Sequence, residues 1–232
     1  MAVPCTMSVT AANRIHYKGR RRRTMTITFY YSPQSSAGRI RLTLAELGVP
    51  HEAVRVDLRA GDQKKPEFLA LNPNGQVPTL VIDGTPIFES VAIQIALGER
   101  YGVEKGLWPA PGSPEQLMAL TWIIWGQVNL TSALFRYIKN TSDWFPKEQQ
   151  DAKQAEAAMT EARGLLRILD GRLDGRQYVT GERCTLVDLD LASVLGWGLQ
   201  AAKIDISELK NLKGWLGRIM ERPAVKAVMA EG

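Results

Sequence analysis

Histidine and cysteine are scarce in this chain. Its 232 residues hold two histidines, His16 and His51, and two cysteines, Cys5 and Cys184. A serine–histidine–aspartate triad, a zinc site of the usual His/Cys type and a haem-attachment motif all lack parts on that count. No metal is expected. Two cysteines so far apart build no disulfide frame, so a reduced, cytoplasmic compartment is the expectation. No uninterrupted apolar run approaches the roughly 18 residues of a spanning helix, so no membrane partner is expected. Residues 1–24 lack any acid but carry Arg14, Lys18 and four arginines at 20–23. These six charges explain the net +5, because the remaining 23 basic and 24 acidic residues nearly cancel. The body of the chain gives no electrostatic reason to invoke nucleic acid.

The basic leader, 1–24, has no sustained periodicity. Three readings stand: a disordered leader with Met25 as the true beginning, an organelle-targeting segment, or a basic arm for nucleic acid or membrane. The absence of an apolar h-region argues against a secretory signal.

Beyond it, TITFYY at 26–31 reads as a strand of β-branched and aromatic residues. A polar turn, Ser32-Pro33-Gln34-Ser35-Ser36, precedes a helix with Ile40, Leu44 and Leu47 on one face, ended by Gly48 and Pro50. Val54, Val56 and Leu58 alternate as a second strand, parallel to the first through a β-α-β crossover. Pro66 opens a short helix. Asp83-Gly84 between two apolar runs then signals a hairpin. Pro78 suits a strand mouth, and the Val77–Pro78 bond can be cis. Val77 then keeps a free N–H and C=O for an extended ligand backbone. Ser90 follows the second hairpin strand as an N-cap or first-turn residue, where a carboxylate is favoured. Glu89 beside it can hold an ammonium. A plain hairpin that binds nothing is the competing reading.

Residues 102–112 are rich in Gly and Pro and read as a linker. Ser113-Pro114-Glu115-Gln116 is a capping box. Leu117, Leu120, Ile124, Val128, Thr131 and Phe135 then share one helical face. Ala155, Met159, Ala162, Leu166, Leu169 and Leu173 repeat the spacing after Pro146. Thr185-Leu186-Val187-Asp188 is another helix start, and shorter helices are expected at 215–222 and 223–230. This is a separate all-α layer.

The pattern NPNGQVPTL…FESVAI resembles the glutathione-binding segment of the glutathione S-transferase family. Gly181…Thr185-Leu186-Val187-Asp188 is similar to the family's C-terminal capping motif, and Arg222-Pro223-Ala224-Val225 to its close. The ordered resemblance covers about residues 25–230. It implies an α/β thioredoxin-like N-terminal domain with a mixed four-stranded sheet, followed by an all-α helical-bundle C-terminal domain. The divisions expected are 1–24, 25–102, a linker at 103–113, and 114–232.

It also implies glutathione as co-substrate and a homodimer in a detoxifying role. Ser35, four residues before Arg39, matches the serine type of the family, whose hydroxyl donates to the thiolate. Ser36, Tyr31 and Tyr30 are alternatives, and a plain helix cap is the bland reading of Ser35. By position, Gln76, Val77 and Pro78 meet the glycyl and cysteinyl parts, and Glu89 and Ser90 the γ-glutamyl head. Trp122, Trp125 and Tyr137, with Phe135, Trp144 and Trp197, are candidates for a pocket that takes a hydrophobic electrophile. Peroxide reduction, isomerisation, dehalogenation or non-catalytic binding on the same site are the alternative functions.

Overall fold

The computed structural model describes residues 26–230. The basic leader, with its competing readings, lies outside them. The chain opens with β1 (Ile27–Tyr31), α1 (Ala37–Leu47) and β2 (Glu52–Arg55). A 3-10 turn and α2 (Pro66–Leu69) lead to β3 (Thr79–Ile82), β4 (Thr85–Phe88) and α3 (Ser90–Leu97). The sheet order is β2-β1-β3-β4. β1 and β2 are parallel, as the helical crossover requires, and β1–β3 and β3–β4 are antiparallel. The hairpin turns on Asp83 and Gly84, both at positive φ.

The second strand is shorter than its alternating residues suggest. It ends at Arg55, although Val56 still donates to the Tyr31 carbonyl at 2.8 Å. The Asp57 carboxylate then captures the N–H groups of Arg59 and Ala60. An aspartate that bonds its own following backbone makes a turn, so Leu58 falls outside the strand.

The second half is helical: α4 (Pro114–Trp125), α5 (Ser132–Lys139), α6 (Ala152–Arg172), α7 (Leu186–Ala202), α8 (Lys210–Met220) and α9 (Pro223–Ala230). Ser113 Oγ accepts the Gln116 N–H at 3.1 Å and starts α4. A wider π-type turn at Gly126–Thr131 joins α4 to α5 without a break. The resulting run, Pro114–Lys139, is long and apolar enough by length and composition to cross a membrane, which the interrupted apolar pattern did not suggest. Yet Ala119, Ile123, Leu130, Ala133, Leu134 and Ile138 are fully buried in the protein core. The face read from the sequence is the other one: Leu117, Ile124, Val128 and Phe135 are exposed.

The linker is no loose tether. Trp108 is buried, and a Cβ on Gly98 would come within 2.5 Å of its indole. Leu107 O accepts the N–H of Leu186 at the start of α7. One continuous core therefore runs from the sheet through Trp108 to the helices.

Candidate active site

Strand register collects three segments at one end of the sheet. Tyr30 lies opposite Thr79, and Thr79 opposite Phe88. The turn after β1, the loop before β3 and the residues after β4 therefore leave the sheet side by side.

The middle segment is held by a buried asparagine. Asn72 Nδ2 donates to Gln76 O at 2.8 Å and to Thr79 Oγ1 at 3.1 Å, while its Oδ1 accepts the Asn74 N–H. Gly75 takes φ +59°, and a Cβ there would sit 2.8 Å from the Gln63 carbonyl, so only glycine fits. The loop delivers Gln76 exposed and Val77 buried, with Val77–Pro78 cis. The Val77 side chain packs with Val56, Phe68 and Tyr30. Its N–H has no partner among the described residues, and its carbonyl accepts only the Ser36 hydroxyl, at 3.1 Å. A buried residue with a spare N–H at a strand mouth is a ready pairing partner for another extended chain.

The third segment supplies the charged end. Glu89 is exposed at φ 69°, and Ser90 opens α3. No side chain caps this helix, so its first N–H groups remain available to a carboxylate.

The first segment carries the hydroxyls. Ser35 Oγ donates to Ser32 O at 2.7 Å and accepts the Ala37 N–H at 3.2 Å, so the cap reading of Ser35 is part of its geometry. Tyr30 meets Phe68 edge-on at 5.8 Å, on the α2 side of the sheet. Tyr31 stacks on Phe29 at 5.5 Å, against the main core. Both tyrosines are thus occupied in packing, away from the cleft.

That cleft, about 530 Å³, opens at the Ser35 turn between the two halves. Gln34, Ser35, Ser36, Gly38 and Arg39 line one side; Thr131, Phe135, Trp144, Ser193, Val194 and Trp197 line the other. Trp122, Trp125 and Tyr137 are not in its wall. Positions 131 and 135 share a helical face with 124 and 128, which puts 122 and 125 elsewhere. Those two rings pack edge-on at 5.0 Å, with Arg172 over Trp122.

Arg39 fixes the two walls. It is buried, and its Nε and Nη2 grip both oxygens of fully buried Asp190 on α7, at 2.7 and 2.5 Å. Nη1 reaches Gln127 Oε1 at 2.5 Å. Gln94 on α3 adds a 3.3 Å bond to Asp190 and takes one from Thr43. The partner of Arg39 lies 151 positions away, and no local pattern in the sequence joins the two. Among the described residues no cluster of His, Cys, Asp or Glu could hold a metal ion.

Comparison with known families agrees with this layout. Residues 32–100 match the model of the glutathione S-transferase N-terminal domain, and residues 131–223 that of the C-terminal domain. The chain belongs to the glutathione S-transferase family. Glutathione S-transferase F10 of Arabidopsis thaliana is 28% identical over 89% of this chain and 98% of its own length. Glutathione S-transferase GstB of Escherichia coli is 30% identical over 82% of this chain and 91% of its own. A glutathione transferase family member from Pseudomonas fluorescens, solved with two glutathiones bound, superposes with a TM-score of 0.76 at 27% identity, covering 88% of this chain and 92% of that one. Within this transferase fold, the sheet-end segments stand where a peptide-like ligand can be paired, and the cleft lies beyond the hydroxyl turn.

Proposed function

We propose that this chain conjugates glutathione, as its thiolate, to a hydrophobic electrophile. The observation that carries the reading is the unpaired N–H of buried Val77, set beside a hydroxyl turn and an uncapped helix start. Val77 pairs with the cysteinyl backbone, and Pro78 keeps that segment extended. Glu89 takes the ammonium of the γ-glutamyl head, and Ser90 with the α3 N–H groups takes its carboxylate. Gln76 meets the glycyl end.

Ser35 turns its hydroxyl from Ser32 O to the sulfur. A free thiol with pKa ~8.5 is only a few per cent ionised at neutral pH. A drop of about two units favours the anion by roughly 2.7 kcal/mol. A hydroxyl donor and the first turn of α1 supply energies of that order.

A homodimer is part of the proposal. The exposed face of α4 and the turn after it carries Leu117, Ile124 and Val128, and residues 116–135 contain no charged side chain. An apolar, uncharged stripe of that length suits a second copy.

The test is calorimetry with reduced glutathione and conjugation to an aryl halide, wild type against Ser35→Ala. The variant's rate at pH 7 should fall about 10–100-fold, the worth of one charge-assisted hydrogen bond. The deficit should shrink as pH rises past the thiol's own pKa. No heat at millimolar glutathione refutes the reading; retention on immobilised glutathione without turnover points instead to a binding protein.

A further inference from the structure

We propose that a second hollow, between the residues after α6 and one face of α8, binds a phosphate monoester carried on a small hydroxylated body. The hollow measures about 450 Å³ and shares no lining residue with the cleft at the Ser35 turn. The inference therefore stands apart from the conjugation reading.

Charge is the first ground. Arg176, Lys210 and Arg218 line the hollow against one carboxylate, Glu182. None of the three cations is paired with an acid. Arg176 Nη1 donates to the carbonyls of Arg172 and Asp174, at 3.1 and 3.2 Å. Arg218 Nη2 donates to the Gln177 carbonyl at 2.6 Å, and its guanidinium carbon lies 5.8 Å from the centre of the Tyr178 ring. The Lys210 ammonium has no partner among the described residues. Carbonyls aim the two guanidiniums without neutralising them. Neighbouring charge feels the excess: burial first, and the Arg176 charge second, lower the Arg172 pKa. Three cations against one carboxylate leave a surplus of two, and a phosphate monoester carries about −1.5 to −2 at neutral pH. Guanidinium and ammonium groups give phosphate oxygens short, charge-assisted bonds.

The floor is the second ground. Gly214 lies inside α8, where glycine weakens a helix. Packing does not demand it. A Cβ at Gly214 would meet only Arg218 Nη1, at an ordinary 3.6 Å. At Gly98, Gly126 and Gly198, by contrast, a Cβ would strike a core side chain at 2.5 Å or closer. What the bare position at 214 leaves open is the hollow itself, one helical turn from both Lys210 and Arg218. Glycine is the residue that lets a ligand approach the backbone closely.

The rest of the lining gives the body of the ligand. Among the described residues no aromatic ring lines the hollow, and Leu173 is its one apolar side chain. Nothing there stacks a nucleobase or shelters a hydrocarbon. Gln177 and Asn211 bring side-chain amides instead, each with a donor and an acceptor end that suits a hydroxyl.

The test uses the full chain: calorimetry with glycerol phosphate, glycerol and sulfate, and flotation with vesicles that carry phosphatidic acid, the same monoester on a lipid. Glycerol phosphate should bind and raise Tm; glycerol should do neither. Binding should weaken as salt rises. Lys210→Gln should weaken it about tenfold or more, the worth of one charge-assisted bond. That variant should keep the unliganded Tm, because the Lys210 ammonium holds nothing in the fold. Gly214→Leu fills the floor and should abolish binding while the unliganded Tm holds or rises, which a folding defect would not allow. Heat with the soluble ester assigns the hollow to a phosphorylated metabolite; flotation with the soluble ester silent assigns it to a lipid headgroup. Neither signal, or a signal no stronger than that of sulfate and indifferent to both substitutions, overturns the inference and leaves a solvated basic face.

Discussion

Asp188 and Asp190 stand two residues apart on α7 and both are fully buried, yet they serve different ends. Asp188 gathers only neutral donors from its own half of the chain. Val179 N–H at 2.8 Å, Thr185 N–H at 2.8 Å, Thr185 Oγ1 at 3.0 Å and Trp215 Nε1 at 2.9 Å all bond its carboxylate. Burial pushes its pKa above the usual carboxylate range, and these bonds pull it back. Asp190 instead faces a cation from the other half. One carboxylate ties a helix start to its surroundings; the other sets the spacing between the Ser35 turn and the wall that holds Ser193 and Trp197.

The largest effect expected is at Asp188. Asp188→Ala strands three buried N–H groups, at about 1–3 kcal/mol each before relaxation, so a loss of roughly 4–5 kcal/mol is expected in urea unfolding. A loss under 1 kcal/mol would break the comparison at its first term. Arg39→Met comes next. It leaves Asp190 charged and unpaired, for a loss of about 3–5 kcal/mol. Combining it with Asp190→Leu should recover most of that, since a buried pair can be exchanged for apolar contact. No single partner change should rescue Asp188→Ala, because its donors are mostly backbone. A double variant no more stable than Arg39→Met would erase the distinction.

Smaller changes sharpen it. Thr185→Val removes one hydroxyl and keeps the backbone bond to Asp188, so about 1 kcal/mol should be lost. The smallest effect is a pH dependence. Burial first, and the Asp188 charge second, push the Cys184 thiol up to about 12. The unfolded thiol ionises near 9, so alkali favours the unfolded chain between those values. Wild type should lose roughly 1 kcal/mol between pH 8 and 10 that Cys184→Ala does not. Parallel stability curves would show that neither burial nor the Asp188 charge raises the folded thiol's pKa.

What the sequence revealed divides along the same line. Thr185 and Asp188 are three residues apart, and Asp83-Gly84 is a two-residue signal, so local chemistry announced both. The parallel pairing of β1 and β2 followed from the helix between them. The Arg39–Asp190 pair joins distant segments and leaves no pattern at any short spacing. Burial direction was also hidden on α4 and the turn after it: Leu117, Ile124 and Val128 make as good an apolar stripe as the face of Ala119, Ile123 and Leu130 that is buried. Periodicity finds a face but does not say what covers it. Phe135, Trp144 and Trp197 reached the cleft, and Trp122 and Trp125 did not, because the chain's path after α5 decides which rings surround the space. The Asp57 turn that shortens β2 has a local signal too, an aspartate inside the alternation of Val54, Val56 and Leu58 that bonds the backbone just after it.

The seat of Trp108 on Gly98 bears on any attempt to splice this chain. The stretch that joins the two halves works as a keystone, gripped by the helix before it and the helix start at Leu186 beyond it. A chimera that grafts a foreign helical half after residue 113 inherits that keystone without the surface it was cut for. Exchange should succeed only when the connector, the glycines beneath it and the Leu186 docking point travel as one piece.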